Sequence, residues 1–286
     1  MLDALEGRGD GARIGVTGAP GAGKSTLLDA LVSGLRRRGR TVGILAVDPS
    51  SQRTGGALLG DRMRLGSGAR DAGVFLRSLA ARDQLGGLSE ITGASLDVLV
   101  AAFDAVFVET VGVGQSESEV THLVDSLVFV VQPSAGDLIQ FMKAGILEWP
   151  DIFFVNKADL GDAADRTAAE LRAGLELGTR RDASRPPPVL CGSARDGVGI
   201  DGLIEAIDAH GRHLRETQEL AERRRQGRLA RIRNALGARY GRFGLARLKG
   251  ALAVEPFAAG HPEVSVDRVV DELGRAVEQS LGAHGS

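Results

Sequence analysis

"IGVTGAPGAGKST", Ile14 to Thr26, decides how the rest of the chain is read. Ile14 to Val16 reads as a short buried strand, and it runs straight into a turn that matches G-x-x-x-x-G-K-[ST] from Gly18 to Ser25. Leu27, Leu28, Leu31 and Leu35 then fall on one side of an amphipathic helix. A strand before the glycines and a helix after them is the context in which this pattern cradles phosphate. The glycines let backbone N–H groups turn inward around phosphate oxygens, and the helix N-terminus adds partial positive charge. Gly18, Ala19, Pro20, Gly21, Ala22, Gly23, Lys24, Ser25 and Thr26 are therefore expected to hold a nucleotide's phosphates. Lys24 would reach the β and γ phosphates, and the Ser25 hydroxyl would bind Mg²⁺. A glycine-rich turn with an exposed lysine is the plain alternative.

Outward from this motif the chain repeats one theme. Short apolar runs occur at Val42 to Val47, Val74 to Leu76, Val106 to Val108, Leu127 to Val131, Ile152 to Val155 and Val189 to Leu190, separated by longer helical or loop-like stretches. Continuous apolar strands are covered on both faces, which predicts an α/β fold with a doubly wound, mostly parallel sheet of the P-loop NTPase type. From about His210 the strand-like runs stop and an arginine-rich helical pattern takes over, so the expected division is a nucleotide domain over 1–210 and a short helical extension over 211–286. In that extension Leu229, Ile232, Leu236, Tyr240 and Phe243 recur at helical steps. Packing on the main domain is the simplest use of that face, with dimerisation or contact to a partner protein as the alternative.

In an open α/β sheet the ligand sits beyond the carboxyl ends of the strands, and further polar motifs fall there. "NKAD", Asn156 to Asp159, follows the Ile152 strand. An ionised Asp159 only accepts hydrogen bonds, and guanine offers two donors on its Watson–Crick edge where adenine presents a lone pair. Lys157 would pack its stem along the base, and Asn156 would tie this loop to the phosphate loop. "CGSAR", Cys191 to Arg195, follows the last strand and places Ser193, Ala194 and Arg195 beside the base, a plain turn being the alternative. In "VFVETVGVGQSESEV", Val106 to Val120, a carboxylate closes an apolar strand, a costly position unless something positive is there. Glu109, with Ser25, Asp48 and Asp61, is assigned to Mg²⁺ and its water shell, and Gly112 and Gly114 to a loop that follows the γ-phosphate. A salt bridge from Glu109 to one of the many arginines is the competing explanation.

Composition narrows the class further. The 286 residues are 43% hydrophobic and 25% charged with a net charge of -2, ordinary for a soluble globular protein. Arginine is dense at Arg36 to Arg38 and Arg223 to Arg225, but without interleaved aromatics or a basic balance nucleic acid is not expected as a partner. The single cysteine, Cys191, excludes an internal disulfide, and the histidines, His122 and His210 among them, show no ligand spacing. The first residues lack a signal-peptide stretch, and the most apolar window, Ala94 to Val113, is broken by Asp97, Asp104 and Glu109. A cytoplasmic protein without a membrane partner is the expectation.

Together, GAPGAGKST, AVDPSSQRTGGALLGDR, VETVGVGQSE, AGDLIQFMKAGILE and NKAD resemble the MeaB/ArgK-type GTPase family from about Arg13 to His210. That resemblance implies GTP hydrolysis to GDP and phosphate, with GTP/GDP and Mg²⁺ as ligands. It implies a first switch over Asp48 to Asp61, a second over Glu109 to Glu117 and a further loop over Gly136 to Gly145. By the same resemblance the chain is a homodimeric chaperone of a cobalamin-dependent acyl-CoA mutase, of the methylmalonyl-CoA mutase type, gating delivery of adenosylcobalamin and release of damaged cofactor. Lys24, Glu109 and Gln115 are the implied catalytic residues. Gln115 does not directly follow the switch glycine, where Val113 stands instead, so slow intrinsic turnover accelerated by a partner is expected. The chain departs from the family in its short termini and in Ala80 to Gln84, where a serine-rich stretch is usual before Leu85-Gly86-Gly87. A nickel-insertion type of metallochaperone GTPase and a kinase or transport-associated NTPase stay open as other readings.

Overall fold

β-branched and aromatic side chains fill a pleated surface best when both faces are covered, and Val, Ile and Phe dominate the central strands here. The structure, a computed structural model, describes residues 2–4, 9–48, 71–80, 90–110, 119–133, 146–177 and 186–282. Among these, seven strands are β1 (Ala12–Gly18), β2 (Val42–Asp48), β3 (Val74–Ala80), β4 (Ala105–Glu109), β5 (Ser126–Val131), β6 (Ile152–Val155) and β7 (Val189–Cys191). They form one parallel sheet in the order β3-β2-β4-β1-β5-β6-β7. The helices are α1 (Lys24–Arg37), α2 (Glu90–Val100), α3 (Asp162–Leu177), α4 (Ile200–Glu216), α5 (Glu219–Leu245), α6 (Val254–Gly260) and α7 (Val266–Gly282).

Alternation along the strands sorts the core into two layers. Ile14, Val16, Ile44, Phe107, Val128, Val130, Ile152 and Phe154 pack against α1 and α4. Their neighbours Leu45, Val47, Val106 and Val108 meet α2, while Phe129, Val131, Phe153 and Val155 meet α3. The sheet is therefore doubly wound, and each fully buried Phe contributes about 1.5–3 kcal/mol relative to exposure. β3 runs on to Ala80, past the apolar run Val74 to Leu76. It is an edge strand with Phe75 and Arg77 exposed, so polar residues are tolerated and the apolar run understates its length.

Register brings the carboxyl ends to one edge. Glu109 pairs with Val16 and with Ala46, Gly18 with Val130, and Val155 with both Val131 and Cys191. Asp48 is the last residue of β2, beside Ala80. Asp61, Gly112, Gly114, Gln115 and the 136–145 loop lie outside the described residues.

At the opposite edge, aspartates begin strands and receive arginines from α5. Asp125, just before β5, accepts from the Arg13 backbone N–H and pairs through both oxygens with Arg224 at 2.7 and 2.8 Å. Asp151, just before β6, accepts from Leu127 N–H and pairs with Arg223 at 2.8 and 2.9 Å. Arg231 reaches Asp97 of α2 at 2.9 Å. Arg223 and Arg224 of the dense run are thus used internally, while Arg225 stays exposed beside Glu222. α5 and α7 share a further core of Leu229, Ile232, Leu236, Val269, Val270, Leu273 and Val277. The boundary expected at 210 falls inside α4, which continues to Glu216; the chain turns at Gln218, whose φ is 63°. No helix among the described residues is long and apolar enough to cross a membrane.

Candidate functional site

Between β1 and α1 the chain makes a tight loop that only glycine can make at its key points. Gly18 has φ 141°, and a Cβ there would lie 2.1 Å from the Val130 carbonyl oxygen. Gly23 has φ 88°, and its Cβ would lie 2.4 Å from Asn156 Nδ2. α1 starts at Lys24 with no side-chain cap on its first turn, so that the backbone N–H groups a phosphate would use are not taken by a capping side chain. Lys24 is 8% exposed, and its ammonium donates to the Gly18 and Ala19 carbonyls at 2.8 and 3.0 Å. Pro20 and Thr26 sit exposed on the same loop and first turn.

One residue further, the Ser25 hydroxyl donates to Glu109 Oε1 at 2.7 Å. Glu109 is also 8% exposed, held at the end of β4 between β1 and β2. A hydroxyl and a carboxylate this close are hard oxygen donors of the kind Mg²⁺ takes, so the pair fits that ion. Asp48 lies at the neighbouring strand end.

The base loops interlock with the phosphate loop through one side chain. Asn156, 2% exposed, donates from Nδ2 to Ala22 O at 2.8 Å and accepts at Oδ1 from Ala194 N–H at 2.9 Å. Lys157 holds the left-handed conformation, φ 61°, which is unusual outside glycine and places its ammonium on Gly21 O and Gln132 Oε1, at 2.8 and 2.6 Å. Ser193 Oγ lies 2.9 Å from Asp159 Oδ1 and 2.8 Å from Asp196 Oδ2, and its one proton serves one of them at a time. Arg195 reaches the other Asp159 oxygen at 3.1 Å. Hydrogen bonds from Arg195, then Ser193, hold the Asp196 carboxyl below its ordinary range, and in turn Asp196, then Asp159, raise the Arg195 guanidinium. Cys191 is half-buried below this loop, and burial pushes its thiol up, so it is not a poised nucleophile.

Gly18 to Thr26, Glu109, Asn156, Lys157, Asp159 and Ser193 to Arg195 are thus gathered at one edge. The sequence reading passed over four further residues. Gln132 follows directly on β5, one residue past its end, and the strand-end rule could have found it. Asp196 hides in an exposed turn. Thr17 and Thr110, hydrogen bonded to each other at 2.8 Å, belong to different strand ends, and no local pattern signals their meeting.

Comparison with known proteins decides the family to which this arrangement belongs. The profile of the methylmalonyl-CoA mutase-associated GTPase MeaB matches residues 1–239. The chain belongs to the MeaB family. It is accordingly a P-loop GTPase, hydrolysing GTP to GDP and phosphate. A putative GTPase of Pyrococcus horikoshii is 47% identical to it over 215 residues, 74% of this chain and 68% of that one. The mitochondrial methylmalonic aciduria type A homologue of Mus musculus is 37% identical over 216 residues, covering 74% of this chain and 52% of its own. Among solved structures, an LAO/AO transport system kinase is similar with 29% identity and a TM-score of 0.64, over 97% of this MeaB-family chain and 85% of its own. The aligned region thus spans about two thirds of the archaeal relative and about half of the mouse one.

Proposed function

We propose that this site binds GTP with Mg²⁺ and that its hydrolysis times the service of a cobalamin-dependent acyl-CoA mutase. The observation that carries the nucleotide half is Asn156, whose amide joins the phosphate loop at Ala22 to the base loop at Ala194. That bridge fixes the distance between a phosphate cradle and a guanine acceptor, so that one ligand spans both.

In this reading Gly18, Ala19, Pro20, Gly21, Ala22, Gly23 and Thr26 surround the phosphates, with Lys24 neutralising charge on the γ oxygens and on the β-phosphate oxygen of the leaving GDP. Ser25 and Glu109 would hold Mg²⁺, together with Asp48 and Asp61. Bound there, the ion supplies charge neutralisation at the phosphates. Asp159 accepts from the guanine edge, and a carboxylate facing adenine's lone pair rejects ATP. Lys157, Ser193, Ala194 and Arg195 steady the base, and Gln115 orients water. Cytoplasmic location and a homodimer belong to the same proposal.

The mutase half rests on the family's description as mutase-associated and on the mouse relative's name. We assign the chain a chaperone's task, gating adenosylcobalamin delivery and protecting or reactivating the mutase. GTP turnover measured alone and with a candidate acyl-CoA mutase, with Lys24→Ala as control, tests both halves. Stimulation that Lys24→Ala abolishes is expected. Guanine-selective turnover that no cobalamin mutase changes would remove the partner and leave the nucleotide chemistry standing; preference for ATP would remove both.

A further inference from the structure

Thr17 and Thr110 form a buried pair of hydroxyls outside the residues assigned above to the nucleotide. Thr110 Oγ1 donates to Thr17 Oγ1 at 2.8 Å, and each residue is 1% exposed. Thr17 immediately precedes Gly18, the first residue of the phosphate loop, and Thr110 immediately follows Glu109. The Thr110 backbone N–H also donates to Val16 O at 3.1 Å, which extends the pairing of β4 with β1 by one residue.

The two sides of this strand end are held differently. Glu109 shares its face with Ala105 and Phe107, towards α1, where Ser25 meets it. Thr17 falls with Gly15 on the other face, since a Cβ on Gly15 would meet Leu127, Val124 and Val120 side chains. The end of β4 is therefore clamped from above by Ser25 on Glu109 and from below by Thr17 on Thr110.

Stability does not explain why hydroxyls stand here. Replacing both partners of a buried hydrogen bond by apolar groups of the same shape is close to neutral, and valine is that shape. Two methyl groups slide over each other, however, whereas a hydroxyl pair tolerates only a narrow range of distance and angle. What the pair adds is position. We propose that Thr17 and Thr110 are positioning residues for hydrolysis, fixing the end of β4, and with it Glu109, against the phosphate loop. The proposal rests on the nucleotide reading above.

The test is the double variant Thr17→Val, Thr110→Val, with Thr110→Ser as the conservative partner. Three quantities are read: GTP turnover split into kcat and KM, the Mg²⁺ concentration for half-maximal rate, and the melting temperature. The double valine is expected to melt at or above the unaltered protein while kcat falls by about ten-fold, with GTP KM little changed and the Mg²⁺ requirement raised. Thr110→Ser keeps the hydroxyl and is expected to keep most of kcat. A folded double valine with unaltered kcat and Mg²⁺ dependence would overturn the proposal, as would a loss confined to melting temperature. Should the unaltered protein's GTP turnover survive Lys24→Ala, the site reading itself fails and the threonines fail with it.

Discussion

Asn156 donates to Ala22 O and accepts from Ala194 N–H with 2% of its surface exposed, so alanine there strands two buried backbone groups at once. An unsatisfied buried group costs about 1–3 kcal/mol, and Asn156→Ala is expected to lose about 3 kcal/mol of stability in urea unfolding. GDP affinity, measured by titration, should fall at least about ten-fold as the two loops lose their fixed spacing. Unchanged unfolding would mean that water or a shifted side chain replaces the bridge. That Lys24, Ser25, Glu109, Asn156 and Asp159 meet at one edge was legible, because their motifs fix residue type and spacing within a few positions of strand ends. Thr17 and Thr110 were not, since their contact depends on β4 lying beside β1, a neighbour relation set by packing across 93 residues of sequence. Arg195 stood among the base-loop residues in the sequence, yet its hold on Asp159 appears only once the loop is folded.

Helix α5 shows how far periodicity reaches. The pattern Leu229, Ile232, Leu236, Tyr240, Phe243 places its first three residues in the core, but Phe243 is 62% exposed. Gly241, at φ 63° and ψ −174°, breaks the helical path before it and throws the phase off. A sequence period assumes an unbroken helix, and one glycine in a non-helical conformation ends its validity. The other glycines of α5 separate propensity from packing. Alanine at an exposed helical position gains about 1 kcal/mol over glycine. At Gly237 a Cβ would meet only the Leu245 side chain, at an ordinary 3.6 Å, so Gly237→Ala is expected to stabilise by up to about 1 kcal/mol. At Gly227 the Cβ would lie 2.2 Å from the His122 carbonyl oxygen, where α5 meets the segment before β5. Gly227→Ala should therefore destabilise by about 1–3 kcal/mol despite its better propensity. Thermal unfolding of the two variants side by side decides it, and a rise in both would show that α5 does not dock as closely as this spacing requires.

At the scale of the molecule, the sheet separates two kinds of edge. Its carboxyl edge gathers the residues proposed to hold nucleotide, and its amino edge is fastened to α5 by Asp97, Asp125 and Asp151. The parallel sheet was legible from the apolar runs, whereas this fastening was not, because arginine runs read equally well as a solvated face until their aspartates are placed. A last link joins the chain's beginning to its end. Asp3 accepts from the Ser265 backbone N–H at 2.8 Å and pairs with Arg268 of α7 at 3.0 Å. The Ser265 hydroxyl and N–H, followed by Arg268, hold the Asp3 carboxyl down from 3.8 to about 2. A carboxyl depressed on folding adds stability above its unfolded value and loses it as pH falls through the folded one. The contribution of Asp3 is thus complete above about pH 4 and disappears toward about pH 2. Asp3→Asn keeps an acceptor for the Ser265 N–H but carries no charge for Arg268. Its melting temperature should lie below that of the unaltered protein at neutral pH, by a modest margin because the pair is solvent-exposed. The gap should close between about pH 4 and pH 2, since protonation removes the same charge from Asp3 itself. Other acid effects act on both proteins alike and cancel in the difference. A gap that stays constant through this window would show that the charge of Asp3, and so its pairing with Arg268, adds nothing to stability.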